Sequence, residues 1–152
     1  RRTRVRVHAR PVSEGRALAT VKSIILTPAD GKKTPAYLTM PVGSSGKNLP
    51  AVVLPHGGPS SRDVWGFDWL PQFLAARGYV VIQPEYRGSS GFGAEFQNKN
   101  GWINWRTAMS DIGDSARYLM KEGIADPNRM AIVGWSYGGY AALQSAAVEP
   151  AL

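Results

Sequence analysis

Apolar residues along this chain fall into alternating short and continuous runs, and the two kinds predict different elements. Between Ala19 and Val42, the β-rich runs TVKSIIL and AYLTMPV flank TPADGKKTP, whose Pro, Asp and Gly mark a turn, so a hairpin is predicted there. After the loop GSSGKN comes LPAVVLPHGGP, apolar without alternation until it ends in Pro, His and two glycines. Continuous apolarity predicts a strand buried on both faces. Trp69, Leu70, Phe73 and Leu74 then recur at helical spacing, with Gly78 placed as a C-terminal cap. YVVIQPEY reads as a second buried strand. A glycine-rich loop, RGSSGFGAEF, leads to a helix with Trp105, Met109, Ile112, Ala116 and Leu119 on one face, and Gly123 ends it. ADPNR turns the chain into MAIVGW, a third buried strand, and a helix rich in Gly and Ala starts at Tyr137. The order β-α-β-α-β-α after the hairpin predicts an α/β fold, a mostly parallel sheet with helices on both faces.

Composition narrows this picture. The chain has 152 residues, 43% of them apolar and five of them Trp, enough for one domain with a core. Cysteine is absent, which excludes disulfide staples and cysteine metal ligands. No apolar run approaches the ~20 residues that span a bilayer, so a soluble protein without a membrane partner is expected, cytoplasmic or in a bacterial periplasm. The net charge of +7 is concentrated: residues 1–22 hold seven basic residues and one acidic, leaving eleven basic against ten acidic beyond. A basic arm RRTRVRVHAR can bind phosphates, but its Arg/Val alternation equally fits a strand with one solvated face, and no nucleic-acid partner is expected. We read residues 1–18 as a basic linker or the end of a preceding domain. The start at Arg1 suggests a chain processed or cut from something longer.

The chemistry gathers at two strand ends, where open α/β sheets bind ligands. Gly134, Trp135, Ser136, Tyr137 and Gly138 spell G-x-S-x-G between a strand and a helix. Such a turn lifts the serine Oγ clear of the sheet and points the helix N-terminus at it. The Tyr137 N–H is thereby offered to a developing oxyanion. At residues 56–59, HGGP ends another strand, and glycine lets the Gly58 N–H, with that of Gly57, approach as a second donor. No metal or other cofactor is implied.

LPAVVLPHGGP, QPEYRGSSGFG, NWRTAMSDIGDSARYL and DPNRMAIVGWSYGGYAAL together resemble the catalytic domain of the prolyl oligopeptidase family of serine peptidases, within the α/β-hydrolase fold, in its acylaminoacyl-peptidase and dipeptidyl-peptidase branch. The resemblance implies that Ser136 is the nucleophile and that the Tyr137 and Gly58 amides form the oxyanion hole. It also implies acyl transfer to water through an acyl-enzyme, on short peptides admitted past an amino-terminal β-propeller. In that family the acid and base follow the serine, whereas only fourteen residues follow Gly138 here and none is His. Residues 19–152 thus resemble a partial α/β-hydrolase catalytic domain, truncated after the nucleophile-elbow helix.

Two histidines are present, His8 and His56. His8 lies in the basic arm. His56 is a candidate base, since the order His, Asp, Ser serves an unrelated protease fold, but it opens the glycine turn and is assigned to supporting that loop. Asp111 and Asp114 read as solvated or capping carboxylates, Arg62 and Arg87 as structurally paired, and Trp65, Phe67 and Trp69 as core. The expected function is cleavage of short peptides or aminoacyl bonds through Ser136, with Asp and His supplied from outside this sequence. The alternatives are an esterase or other small acyl hydrolase, and an inactive fragment. MAIV, central in a full sheet, becomes an edge strand when later strands are absent.

Overall fold

A computed structural model describes residues 17–98 and 103–150. The basic arm, with His8, lies outside the described residues. Five strands form one sheet in the order β1-β2-β4-β3-β5. β1 (Thr20–Leu26) and β2 (Thr34–Met40) make the predicted hairpin, paired antiparallel from Thr20↔Met40 to Leu26↔Thr34. β3 (Leu49–Val53) and β4 (Val80–Pro84) run parallel around the intervening helix α1 (Trp69–Ala76), and β3 also pairs parallel with β5 (Ala125–Ile132). β2 meets β4 antiparallel, so the hairpin makes the sheet a mixed one. A short helix, α2 (Ala94–Gln97), precedes the long α3 (Trp105–Lys121), and α4 (Tyr137–Val148) follows β5.

The continuous apolar runs divide between two faces with period two. Ala51, Val53, Val80 and Ile82 pack with Met109, Ile112 and Leu119 of α3 and Ala141 of α4. Val52, Leu54 and Val81 form a smaller cluster with Leu70 and Leu74 of α1 on the other face. Every residue of β4 is buried. α1 begins at Asp68, whose carboxylate accepts from the Leu70 N–H at 3.0 Å, and Gly78 leaves it at φ +91°.

Three expectations need correction. ADPNR does not precede β5 but lies within it: Leu49 faces Ala125 while Ala51 faces Met130, so five residues of β5 advance against two of β3. The excess bulges outward, closed by Asp126 accepting from the Asn128 N–H and from Arg129 Nε. β5 is not buried on both faces: at the edge of the described sheet, where MAIV is expected in the absence of later strands, Ala131 is exposed and Val133 40% exposed, and a groove of about 360 Å³ runs along it between Ile112, Ala116, Met130, Ile132 and Ser145. Finally, Trp65, Phe67 and Trp69 are exposed by 63%, 39% and 66%, because the inner face of α1 is already filled by Leu70, Pro71, Leu74 and Ala75.

Asp111 is also unlike its expectation. It is fully buried on α3, and its carboxylate takes the Arg87 backbone N–H at 2.8 Å and Arg87 Nε at 2.9 Å. Arg87, structurally paired as expected, also reaches Asp30 in the hairpin turn, so one guanidinium joins the hairpin, the segment after β4 and α3. Asp114 accepts from the Ala29 N–H and pairs with Arg117.

Two outcomes follow from this architecture. Arg87→Ala leaves Asp111 buried without its partner and is expected to cost about 3–5 kcal/mol. Asp30→Ala, at the 47% exposed end of the same network, is expected to cost less than about 1 kcal/mol. Urea unfolding of the two variants checks the contrast. Residues 1–152 expressed alone are expected to self-associate through the β5 edge, and a concentration-independent monomer in sedimentation would contradict this.

Candidate active site

β5 enters α4 through a turn too tight for side chains at its flanks. A Cβ on Gly134 would lie 2.5 Å from the carbonyl carbon and oxygen of Gly138, and one on Gly138 would lie 2.2 Å from the carbonyl oxygen of Pro55. Glycine at both positions is therefore a packing requirement. It also fixes where the turn sits: directly against the end of the chain segment that leaves β3. Ser136 occupies the apex at φ 53°, ψ −126°, a left-handed conformation that a residue with a side chain rarely adopts. Its side chain is exposed, and its carbonyl accepts from the Tyr140 N–H at 3.0 Å, opening α4.

Tyr137, the first residue of α4, puts its backbone N–H at the positive end of the helix. Its ring is buried between Tyr86 and Tyr140, with centroids 5.7 and 5.3 Å away. From the neighbouring strand, the loop after β3 brings Gly57 to the serine: a Cβ there would stand 3.4 Å from Ser136 Cβ. Gly58 follows at φ 128°, where a Cβ would meet the amides of Ser60 and Ser61 at 2.9 Å. Serine, helix N-terminus and glycine loop thus converge at the carboxyl ends of β5 and β3.

His56 is buried, and both ring nitrogens have close polar neighbours. Nδ1 lies 2.6 Å from the Gly57 carbonyl oxygen, and Nε2 lies 2.8 Å from Ser89 Oγ and 3.4 Å from Glu85 Oε2. The last contact is not a hydrogen bond and becomes an ion pair when His56 is protonated; Glu85 Oε2 has no hydrogen-bond partner. The ring stacks on Tyr86 at 4.5 Å and 20°, and the Tyr86 hydroxyl donates to the His56 carbonyl at 2.9 Å. Burial alone would lower the pKa of His56, but the contact and charge of Glu85, with the Gly57 carbonyl and Asp63, raise it overall. Asp63, at the far end of the same loop, is pushed up to about 6, first by burial and then by the charges of Glu85 and Asp68, against the pull of His56. Among the described residues, no group of three His, Cys, Asp or Glu is arranged to hold a metal ion.

The sequence pattern did not single out Glu85, Tyr86, Ser89 or Asp63. The available signal was a carboxylate directly after a wholly buried strand, a position where an ionised group needs a partner.

A serine held left-handed at a strand–helix turn, beside a glycine loop from the adjacent parallel strand, is the arrangement of an α/β-hydrolase. Comparison with known proteins agrees. Residues 65–152, more than half of the chain, match the prolyl oligopeptidase family. The chain belongs to that family. Dipeptidyl aminopeptidase BIII of Pseudoxanthomonas mexicana is 38% identical over 151 residues, which cover 93% of this chain and 22% of that protein. The solved structure of a Mycobacterium tuberculosis puromycin-hydrolyzing peptidase superimposes with a TM-score of 0.78 at 30% identity, over 88% of this chain and 21% of its own. The Pyrococcus horikoshii acylaminoacyl peptidase, 21% identical, shares the fold with a TM-score of 0.84 over 99% of this chain and 24% of its own. The chain thus spans about a fifth to a quarter of the length of these proteins.

The contact between Gly138 and Pro55 predicts a sharp asymmetry. Gly138→Ala is expected to destabilise by about 1–3 kcal/mol or more, because backbone must move on both sides of the new methyl. Gly139→Ala, whose nearest neighbour would be the Gly134 carbonyl oxygen at 3.3 Å, is expected to be much milder, since alanine also favours the helix. Thermal melts of the two variants decide it.

Proposed function

We propose that this chain is the nucleophile-bearing part of a serine peptidase. The observation that carries the reading is Ser136 at φ 53°, pressed against the glycine loop by the Gly138–Pro55 contact. Ser136 Oγ attacks the scissile carbonyl carbon and gives its proton to a histidine base. The carbonyl oxygen becomes an oxyanion received by the Tyr137 and Gly58 amides, with Gly57 alongside. The tetrahedral intermediate collapses to a Ser136 ester as the protonated base passes its proton to the leaving amine, and water then reverses the sequence to free the acid. One oxyanion donor is typically worth ~10²–10³ in rate.

His56 does not serve as the base, because its two nitrogens are held by Gly57, Ser89 and Glu85. The base and its carboxylate are assigned to parts of the protein beyond residues 1–152, in keeping with relatives four to five times as long. The names of those relatives, a dipeptidyl aminopeptidase and a puromycin-hydrolyzing peptidase, favour aminoacyl or dipeptidyl amides of short peptides as substrates. Access past a β-propeller belongs to the same reading.

The test is intact mass after treatment with a fluorophosphonate. The intact protein is expected to gain one adduct, absent in Ser136→Ala, and to release naphthylamine from aminoacyl-naphthylamides. Residues 1–152 alone are expected to take no label, since losing the base costs on the order of 10⁶ in kcat. Label retained in Ser136→Ala would overturn the nucleophile assignment. Turnover of nitrophenyl esters without any of the amides would make the protein an esterase.

A further inference from the structure

The neighbours of His56 bear on its charge. The Gly57 carbonyl oxygen, 2.6 Å from Nδ1, can only accept. The Tyr86 hydroxyl, 3.3 Å from the same nitrogen, gives its single hydrogen to the His56 carbonyl, so toward the ring it too offers only a lone pair. On the other side, Ser89 Oγ lies 2.7 Å from the Tyr86 carbonyl oxygen, to which it can donate, and 2.8 Å from Nε2. Glu85, the remaining neighbour of Nε2, is a carboxylate. With its proton on Nδ1 for the Gly57 carbonyl, a neutral imidazole would turn the Nε2 lone pair toward Glu85 Oε2, buried at 3.4 Å without a hydrogen-bond partner. A doubly protonated ring gives Glu85 its counter-charge and can donate to Ser89 Oγ as well.

A buried cation needs a buried counter-charge, and Glu85 supplies it. Its side chain is 2% exposed, and its two oxygens reach the two ends of one loop: Oε2 faces His56, the first residue, and Oε1 accepts from the backbone N–H of Asp63, the last, at 2.9 Å. Between these ends lie Gly57 and Gly58. The loop is tied once more to the same segment, where the Ser90 N–H donates to the Ser61 carbonyl at 2.8 Å. The segment carrying Glu85 is itself anchored two residues on, by Arg87 on Asp111.

We propose that His56 is an imidazolium at neutral pH, clasped by Glu85, and that Glu85 is thereby the positioning residue that shapes the loop 56–63 for oxyanion binding. The catalytic half of this statement rests on the serine peptidase reading above; the charge state of His56 does not.

The clasp has a pH dependence with a definite sign. Facing the imidazolium are Glu85 and Tyr86 from the end of β4, Asp63 from the loop itself and, behind Tyr86, Tyr137 from α4. Both Tyr phenols are raised by burial and stay neutral. His56 is raised above 6.5, so the stabilisation from its pairing is fully present below that pH and is lost as pH rises through the higher folded value. Asp63, raised to about 6, holds its proton longer folded than unfolded, so its contribution has the same sign, fully present below pH about 4 and lost as pH rises through about 6.

The experiment is ¹⁵N NMR of the His56 ring in the intact protein, alongside kinetics of Glu85→Gln. Both ring nitrogens are expected to be protonated at pH 7 and to titrate above the ordinary histidine range. Glu85→Gln is expected to lower that midpoint by about one pH unit or more. The same variant should cut kcat by about 10- to 100-fold, short of removing a donor outright, with KM moved less than about threefold; Glu85→Asp should restore part of kcat. A neutral His56 tautomer at pH 7 in the unsubstituted protein overturns the proposal whether or not the variants fold. So does a Glu85→Gln protein with unchanged His56 titration and kcat. A protonated His56 in a protein that takes no fluorophosphonate label would sink the peptidase reading while leaving the clasp standing.

Discussion

The backbone of Gly138 lies so close to the Pro55 carbonyl that one added methyl would sit 2.2 Å from its oxygen. Much of the site depends on that approach. It sets the elbow of β5–α4 against the segment leaving β3, and so puts Ser136 beside Gly57. It is possible only because β3 and β5 are parallel neighbours with aligned carboxyl ends. Their alignment in turn follows from the chain order: β3 crosses to β4 on one side, and the next crossover returns past β3 to β5 on the other. Connections that leave one strand in opposite directions open a crevice at its carboxyl end. The site occupies that crevice.

Much of this was legible in the residues. Unbroken apolarity in AVVL and YVVI meant two covered faces, and Val52 and Val81 do face α1 while Val53 and Ile82 face α3. G-x-S-x-G and H-G-G placed the two halves of the site because glycine requirements are local: they follow from the path of the backbone at the glycine itself. Trp65 and Trp69 were misread because the same pattern reports apolarity without reporting whether a face is already filled. β5 was misread at its bulge, because Asp126–Arg129 carries the composition of a turn while pairing continues on either side; its edge position is the one expected for MAIV without later strands.

The buried charges were not legible, for one physical reason. An ion pair is defined by its partner, and here the partners stand far apart in sequence. Asp111 sits among Ala108, Met109, Ile112 and Ser115 on the inner face of α3, and its pattern says nothing of Arg87, 24 residues earlier. Glu85 and His56 are 29 positions apart, joined only because the parallel pairing of β3 with β4 brings their carboxyl ends level. Arg87 has two carboxylates around it, and His56 has one carboxylate and the oxygens of Gly57, Tyr86 and Ser89. Buried charge networks of this kind cost desolvation energy and return geometry. Both lie in or against the segment 85–90, which makes that stretch after β4 the frame to which the loop before α1 is fastened.

The fastening also bears on where the reaction's base must come from. A histidine that accepts the serine proton needs one ring nitrogen with a lone pair aimed at Oγ. His56 instead has Nδ1 held by the Gly57 carbonyl and Nε2 set against Ser89 and Glu85. A residue in that state can hold amides in place for an oxyanion, because its own charge does not change as the reaction proceeds. It cannot shuttle a proton without breaking the contacts that shape the loop. Loop support and base catalysis are therefore exclusive roles for His56, and its contacts with Gly57, Ser89 and Glu85 favour the first.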